Sequence, residues 1–413
     1  MLGILKSRGF EITNEVEKAD IAVINTCGFL QSAAQESIDC ILEVSELKKS
    51  GQLRKLVVAG CLVSRYKGDL VESLPEVDAF LTTDEINKID EAVNDDYSFY
   101  DSLPRVLSTK KHTAYLKISE GCNRPCTFCI IPKIRGKMRS RQIDSILQEA
   151  EDLRHEGVKE INLVGQDLTD YGSDNNSNIV SLLKALDQQK AIDWIRLLYA
   201  YPLGINDEVL DCIANLKSVC EYLDLPLQHS SEKLLKTMKR PLGKYSPRRL
   251  IESVATRYPS IHLRTTFIVG FPGETEDDVK DLEDFISSGY FTNLGVFCYS
   301  QEEGTPSALM QEQIPEELKQ ERRDRLMLAQ QNVLKNKLKS FIGNRYDVLL
   351  EGMHEDTDLL LTARTRFQAP EVDGVVIVND SEIENPEKLI GGLSTVEISE
   401  IVGYDLVGKL IEK

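Results

Sequence analysis

Residues 118–141 read ISEGCNRPCTFCIIPKIRGKMRSR, and their three cysteines, Cys122, Cys126 and Cys129, are spaced C-x3-C-x2-C. The segment leaves a strand-like run, Tyr115–Ser119, and leads into an amphipathic stretch, Ile143–His155. Strand, loop and helix in that order form a βα unit, and the pattern recurs along the chain. The further strand candidates are Glu160–Val164, Trp194–Tyr199, Tyr222–Leu225, His262–Val269 and Leu294–Ser300. Amphipathic helices such as Ser246–Tyr258 and Glu276–Ser287 fall between them. Six βα repeats over residues 113–338 predict an α/β protein built on a partial (β/α)6 barrel. In such a barrel the chemistry belongs at the C-terminal ends of the strands, which is where the cysteine loop lies.

On the N-terminal side, residues 1–95 alternate strand candidates (Ile21–Ile24, Leu56–Ala59, Asp78–Leu81) with helical stretches over 31–48, 63–73 and 84–93. That alternation predicts a small parallel α/β sheet. The chain opens on a helix-like stretch, Met1–Arg8, where such a sheet normally opens on a buried strand. Residues 96–112 are polar and aperiodic and contain a proline, as a linker does. A long charged helix over Glu316–Ser340 closes the barrel region. Residues 341–413 then hold short strands, Tyr346–Leu350, Leu359–Ala363, Gly374–Val378, Leu393–Ile401 and Asp405–Leu410, with Asn-Asp and Gly-Gly turn signals. They outline a small antiparallel β-barrel.

The 413 residues are 41% hydrophobic and 28% charged, the balance of a globular protein too long for one core. No apolar run approaches the ~20 residues of a membrane helix, and no signal-peptide pattern opens the chain. A cytoplasmic location with no membrane partner is therefore expected, where nine cysteines serve as ligands or small core residues rather than disulfides. The net charge of −18 makes nucleic acid a poor partner and a basic protein a good one.

Three thiolates on one loop can ligate three irons of a 4Fe-4S cube and leave the fourth iron open. An open iron can take the amine and carboxylate of S-adenosylmethionine, whose sulfonium bond the cluster then cleaves reductively. Zinc would want a fourth Cys or His, and His112 and His155 are poorly placed to supply one. Three incidental core cysteines within eight residues are the other reading, and chance clustering at this place is a weak explanation.

Asn25–Phe29 (NTCGF), Ala59–Leu62 (AGCL) and the quoted cysteine loop together resemble the methylthiotransferase family of radical S-adenosylmethionine enzymes, over essentially the whole chain. Leu223–Ser231 (LDLPLQHSS), Thr265–Thr275 (TTFIVGFPGET) and Tyr299–Thr305 (YSQEEGT) are similar to its RimO branch. The resemblance implies an N-terminal cluster domain, a radical barrel and a C-terminal TRAM domain. It implies methylthiolation of the β-carbon of an aspartate in small ribosomal subunit protein twelve. One S-adenosylmethionine gives the methyl group and a second gives the hydrogen-abstracting radical. It also implies an electron donor such as flavodoxin or ferredoxin, and a sulfur donor. The sister branch, MiaB, acts on an adenosine of tRNA. Charge separates the two: residues 341–413 carry six Lys+Arg against fifteen Asp+Glu, a net of −9, which repels phosphate and suits a basic protein.

The family's auxiliary 4Fe-4S cluster uses three cysteines of the N-terminal domain, and the resemblance carries over to Cys27 and Cys61, each after a strand. The third ligand has no match, so one cluster rather than two is expected, and a catalytically incomplete iron–sulfur protein is the alternative. Cys40, Cys212, Cys220 and Cys298 are expected to be packing residues. Phe128, between the last two cysteines, and Gln166, Asp167, Arg196, Gln228 and Gly270, polar or glycine positions at strand ends, are candidates for holding the cofactor; ordinary burial is the other reading of Phe128, and capping of the next segment that of Gln166 and Asp167. Tyr199, His229, Arg264, Thr266 and Gly273 lie at similar positions, and Lys133–Arg141 is expected to be a solvated basic loop.

Overall fold

The computed structural model describes residues 1–94, 105–240 and 246–412. The expected linker falls partly outside them. Its described tail is held down: Arg105 donates to Glu149 at 2.6 Å, and His112 is buried.

The N-terminal part forms a parallel sheet of β1 (Ile21–Thr26), β2 (Lys55–Gly60) and β3 (Ala79–Leu81), in the order β1-β2-β3. The central strand is apolar on both sides, so its neighbours in sequence face opposite cores. Val57 and Ala59 pack with Ile4, Leu5, Ile89 and Val93, from α1 (Leu2–Ser7) and α4 (Ile89–Asn94). Val58 packs with Ala34, Ile41, Leu62 and Leu70, from α2 (Gln31–Lys49) and α3 (Cys61–Ser73). The opening helix is thus a cover for one face of the sheet.

The central part carries six parallel strands in two groups. One is β4 (Thr113–Lys117), β7 (Glu160–Val164) and β8 (Trp194–Leu197). The other is β9 (Tyr222–Asp224), β10 (His262–Val269) and β11 (Phe291–Cys298), bridged to the first through Ile195 and Val219. Short strands β5 (Ser119–Glu120) and β6 (Arg139–Ser140) pair antiparallel at the base of the cysteine loop, with α5 (Ile131–Arg135) between them. The outer helices are α6 (Ile143–His155), α7 (Ile179–Gln189), α8 (Asp207–Asn215), α9 (Glu232–Thr237), α10 (Pro247–Arg257) and α11 (Glu276–Ser287). Side-chain caps start several of them, including a capping box between Thr275 and Asp278. The long α12 (Glu316–Leu338) packs along β11 and α11.

The C-terminal part is a closed barrel, in the order β12-β13-β14-β16-β15. Its strands are β12 (Arg345–His354), β13 (Thr357–Thr365), β14 (Val376–Ser381), β15 (Leu393–Val402) and β16 (Asp405–Ile411). All pairings are antiparallel except β14 with β16, so the wholly antiparallel expectation fails at that seam. There the sheet closes through strands that no hairpin joins.

This barrel seals one side of the six-stranded unit. Leu349, Ala369 and Leu393 pack against Trp194, Leu198, Cys220 and Tyr222. Beside them Glu160 binds Arg196 at 2.9 Å and Arg364 at 2.5 Å, all three fully buried. At the opposite junction Arg65 of α3 reaches Glu302 at 3.1 Å, again nearly out of water. Among the described residues no helix is long and apolar enough to cross a membrane.

Candidate functional site at the cysteine cavity

The cysteine loop is anchored before it does any chemistry. Gly121, with φ +83°, lets the backbone pass so close to Lys137 that a Cβ would sit 2.2 Å from its carbonyl oxygen. The Cys122 amide donates to Gly136 O at 3.1 Å, and the Thr127 amide donates to Met238 O at 3.0 Å. The loop therefore has a closed neck and a tethered tip.

Cys122, Cys126 and Cys129 line one cavity of about 370 Å³. Phe128, Gln166, Tyr199, Tyr201, Gln228 and Arg240 are also in its wall. Burial pushes the Cys122 thiol up, and pushes Cys129 up to about 11. Both are therefore neutral in the free protein at pH 7, and metal binding has to release protons. Among the described residues no three Cys, His, Asp or Glu side chains converge on a single-ion site. Three cysteines around a shared cavity fit a polynuclear cluster, in which each thiolate takes its own iron. The buried side-chain oxygens of Gln166 and Gln228 have no hydrogen-bond partner, so acceptors face a site that a bound molecule can satisfy.

The expected cofactor residues divide. Phe128, Gln166 and Gln228 are in the cavity wall. Asp167 lies just behind, accepting from Arg124 Nε at 2.7 Å and from the Thr169 amide at 2.9 Å. Arg196 is elsewhere: it is spent on Glu160 under the C-terminal barrel. Gly270 is elsewhere too, because its Cα faces the Lys319 side chain of α12, where a Cβ would clash at 2.3 Å. His229 is buried 3.6 Å from Glu274, and Arg264 binds Asp224 at 3.0 Å. Thr266 gives its backbone carbonyl to the Gln228 amide, and Gly273 takes φ +81°. Cys212 and Cys220 are buried and Cys298 partly so, whereas Cys40 is exposed, against expectation: it lies on the solvent face of α2. Lys133–Arg141 is not a free loop either. Lys133 donates to Gly304 O, Arg135 to Glu120, Arg139 to Asp84 and Arg141 to Glu149.

Cys27 and Cys61 directly follow β1 and β2, whose last residues, Thr26 and Gly60, pair. Cys27 is exposed and Cys61 buried, with Arg135 Nη2 donating to Cys61 Sγ at 3.1 Å. Phe29 packs with Cys61, Ile130 and Ile134 and also lines the cavity, so the two cysteine sets are neighbours. Sequence reading missed Arg124, Tyr201, Arg240 and Phe29. Arg124 carried a signal, lying between the first two cysteines. Arg240 carried none, and it arrives beside Cys126, 3.7 Å from its sulfur, only through the fold.

Residues 116–286 match the radical SAM superfamily, residues 342–411 the TRAM domain and residues 1–82 the family described as UPF0004. Over its full length the chain is 44% identical to the ribosomal protein uS12 methylthiotransferase RimO of an Anaeromyxobacter species, covering 90% of that protein. The chain belongs to the RimO family. The RimO of Bdellovibrio bacteriovorus is 42% identical, again over the whole chain and 93% of the relative. A radical S-adenosylmethionine methyltransferase from Kitasatospora setae, TsrM, shares the fold at 14% identity, with a TM-score of 0.53 over 71% of this chain and 66% of that one. Membership of the RimO family makes this chain a radical methylthiotransferase built on an α/β fold with a TRAM barrel.

Proposed function

We propose that this methylthiotransferase acts on an aspartate of ribosomal protein uS12, with Cys122, Cys126 and Cys129 holding the radical 4Fe-4S cluster and Cys27 and Cys61 belonging to an auxiliary cluster. The observation that carries the reading is the shared cavity: three cysteines, with two buried unpartnered carboxamide oxygens in the same wall. When bound, the cluster and S-adenosylmethionine supply the one-electron chemistry that an unactivated C–H bond requires.

The protein's own contribution is placement and exclusion of water. Phe128 packs against Leu234, Leu235 and Met238 and offers a rigid ring to an adenine. Gln166 and Gln228 offer acceptors to an ammonium or a ribose hydroxyl. Asp167 orients Arg124 across the Tyr201 ring, 4.5 Å away, and Arg240 covers the same ring at 4.4 Å. The two guanidiniums in the cavity wall favour the anionic ends of both cofactor and acceptor aspartate.

The C-terminal barrel supports a basic protein as substrate rather than RNA. Of its few cations, Arg364 and Arg366 turn inward to Glu160 and Glu221, while Arg345 and Lys409 pair with Glu397, Asp380 and Glu382. That leaves little free positive charge to replace the counterions of a phosphate backbone. A one-electron donor of the flavodoxin or ferredoxin class and a sulfur source complete the reaction.

Reconstituted enzyme incubated with S-adenosylmethionine, reductant, sulfide and uS12 should add about 46 Da to the ribosomal protein, the mass of S plus CH2. Absence of that product while tRNA gains a methylthio group would reassign the substrate. Iron analysis belongs beside it. About four irons per chain fits an auxiliary site lacking one ligand, and about eight means that another residue completes it.

A further inference from the structure

Among the described residues eight non-glycine positions have positive φ, and two of them, Tyr199 at 65° and Gln228 at 74°, line the cysteine cavity. A bulky ring in the left-handed region costs about 1–2 kcal/mol, so something must hold it there. The Tyr199 amide donates to Asp224 Oδ2 at 3.1 Å, and Asp224 Oδ1 accepts from Arg264 Nη1 at 3.0 Å. Arg264 Nε lies 3.5 Å from Asp373 Oδ1, and Asp373 Oδ2 accepts from the Tyr222 hydroxyl at 2.7 Å and the Ala369 amide at 2.8 Å. The Asp224 and Asp373 side chains are almost wholly buried. Asp373 belongs to the connection between β13 and β14 of the C-terminal barrel, so one chain of polar contacts runs from that barrel to the cavity wall.

The effect is to leave Tyr199 51% exposed at the cavity, whereas its neighbour Tyr201 is 5% exposed beneath two guanidiniums. A strained, well-supported aromatic facing outward is a contact surface rather than packing. We infer that Tyr199 contacts the polypeptide substrate beside its acceptor aspartate, and that Asp224, Arg264 and Asp373 are positioning residues through which the C-terminal barrel sets the substrate end of the cavity. The ring face suits a lysine or arginine flanking the acceptor, as Tyr201 already carries guanidiniums in the same wall. This rests on the cavity being the site of the radical chemistry.

The test follows hydrogen from substrate to cofactor. With uS12 carrying β-deuterated aspartate, the C–D bond breaks and the deuterium ends on the 5′-carbon of 5′-deoxyadenosine, so the labelled fraction reports coupling to substrate. Tyr199→Ala should lower that fraction about tenfold and Asp373→Asn roughly threefold, while Tyr199→Phe keeps it within about twofold. Equal proportional losses of labelled and total product in Tyr199→Ala would assign the ring to the cofactor and overturn the inference. An unchanged fraction in Tyr199→Ala, or in a folded Asp373→Asn, also overturns it. Wild type that makes no 5′-deoxyadenosine at all defeats the underlying reading, and the inference with it.

Discussion

Glu160 ties the six-stranded unit to the C-terminal barrel. It is wholly buried, yet Arg196 and Arg364 both end on it, one from the six-stranded unit and one from the C-terminal barrel. Burial alone would raise its carboxyl, but the two guanidiniums outweigh that and lower it. Replacing it with glutamine leaves two buried cations sharing a neutral partner. Glu160→Gln should therefore cost about 3–5 kcal/mol in urea unfolding, the range for breaking a buried pair from one side. A loss under about 1 kcal/mol would mean that water reaches the cluster. Sequence reading put Arg196 in the cofactor site because it is a polar residue on a barrel strand. Its true partner is the Glu160 carboxylate on the neighbouring strand, and the second guanidinium on that carboxylate, Arg364, comes from another barrel, which no local pattern announces.

At the scale of the element, the cysteine loop was the most legible part of the molecule. Its spacing, its strand before and its helix after are all local, and local patterns survive into the fold. What the spacing could not convey is how the loop is held. The neck depends on Gly121 passing Lys137, and the tip depends on Met238 and Ser307, which come from other elements. Gly121→Ala is both strained at φ +83° and blocked by backbone. It should lower iron retained after anaerobic reconstitution to less than about half of wild type, while far-UV circular dichroism stays native. Full iron content in this variant would show that the neck opens without cost. The ends of β8 and β11 were less legible. Tyr199 leaves the expected strand because Asp224 captures its amide, and β11 runs Phe291–Cys298 rather than Leu294–Ser300 because β10 pairs with it from Leu263 onward.

Over the whole molecule, sequence patterns convey three strand-built units and their order along the chain, but not how they dock. Docking is written in single side chains such as Arg65, Glu302, Arg366 and Phe367, whose partners are set by three-dimensional packing. His262 shows what that packing does to pH dependence. It opens β10, stacks on Phe367 of the C-terminal barrel at 4.3 Å and lies near Phe341 at 5.9 Å. Burial, with a smaller push from the Lys337 charge, lowers its imidazole to about 4. The folded protein keeps it neutral where an unfolded chain, with a pKa near 6.5, takes up a proton. Stability from this residue is thus whole above pH 6.5 and is lost as pH falls toward 4, by up to roughly 3 kcal/mol. Glu351 extends the same trend downward. Burial works to raise its carboxyl, but His112 at 3.9 Å and Arg364 at 2.7 Å hold it at about 2. Its share is present above about pH 4.5 and disappears between there and pH 2. Acid should therefore loosen the contact between the two barrels first. His262→Phe keeps the stack and removes the proton site, so its urea midpoint should change less than wild type's between pH 6.5 and 4 while the two converge in slope below that. Parallel midpoints for the two proteins across pH 6.5 to 4 would show that acid enters the molecule elsewhere.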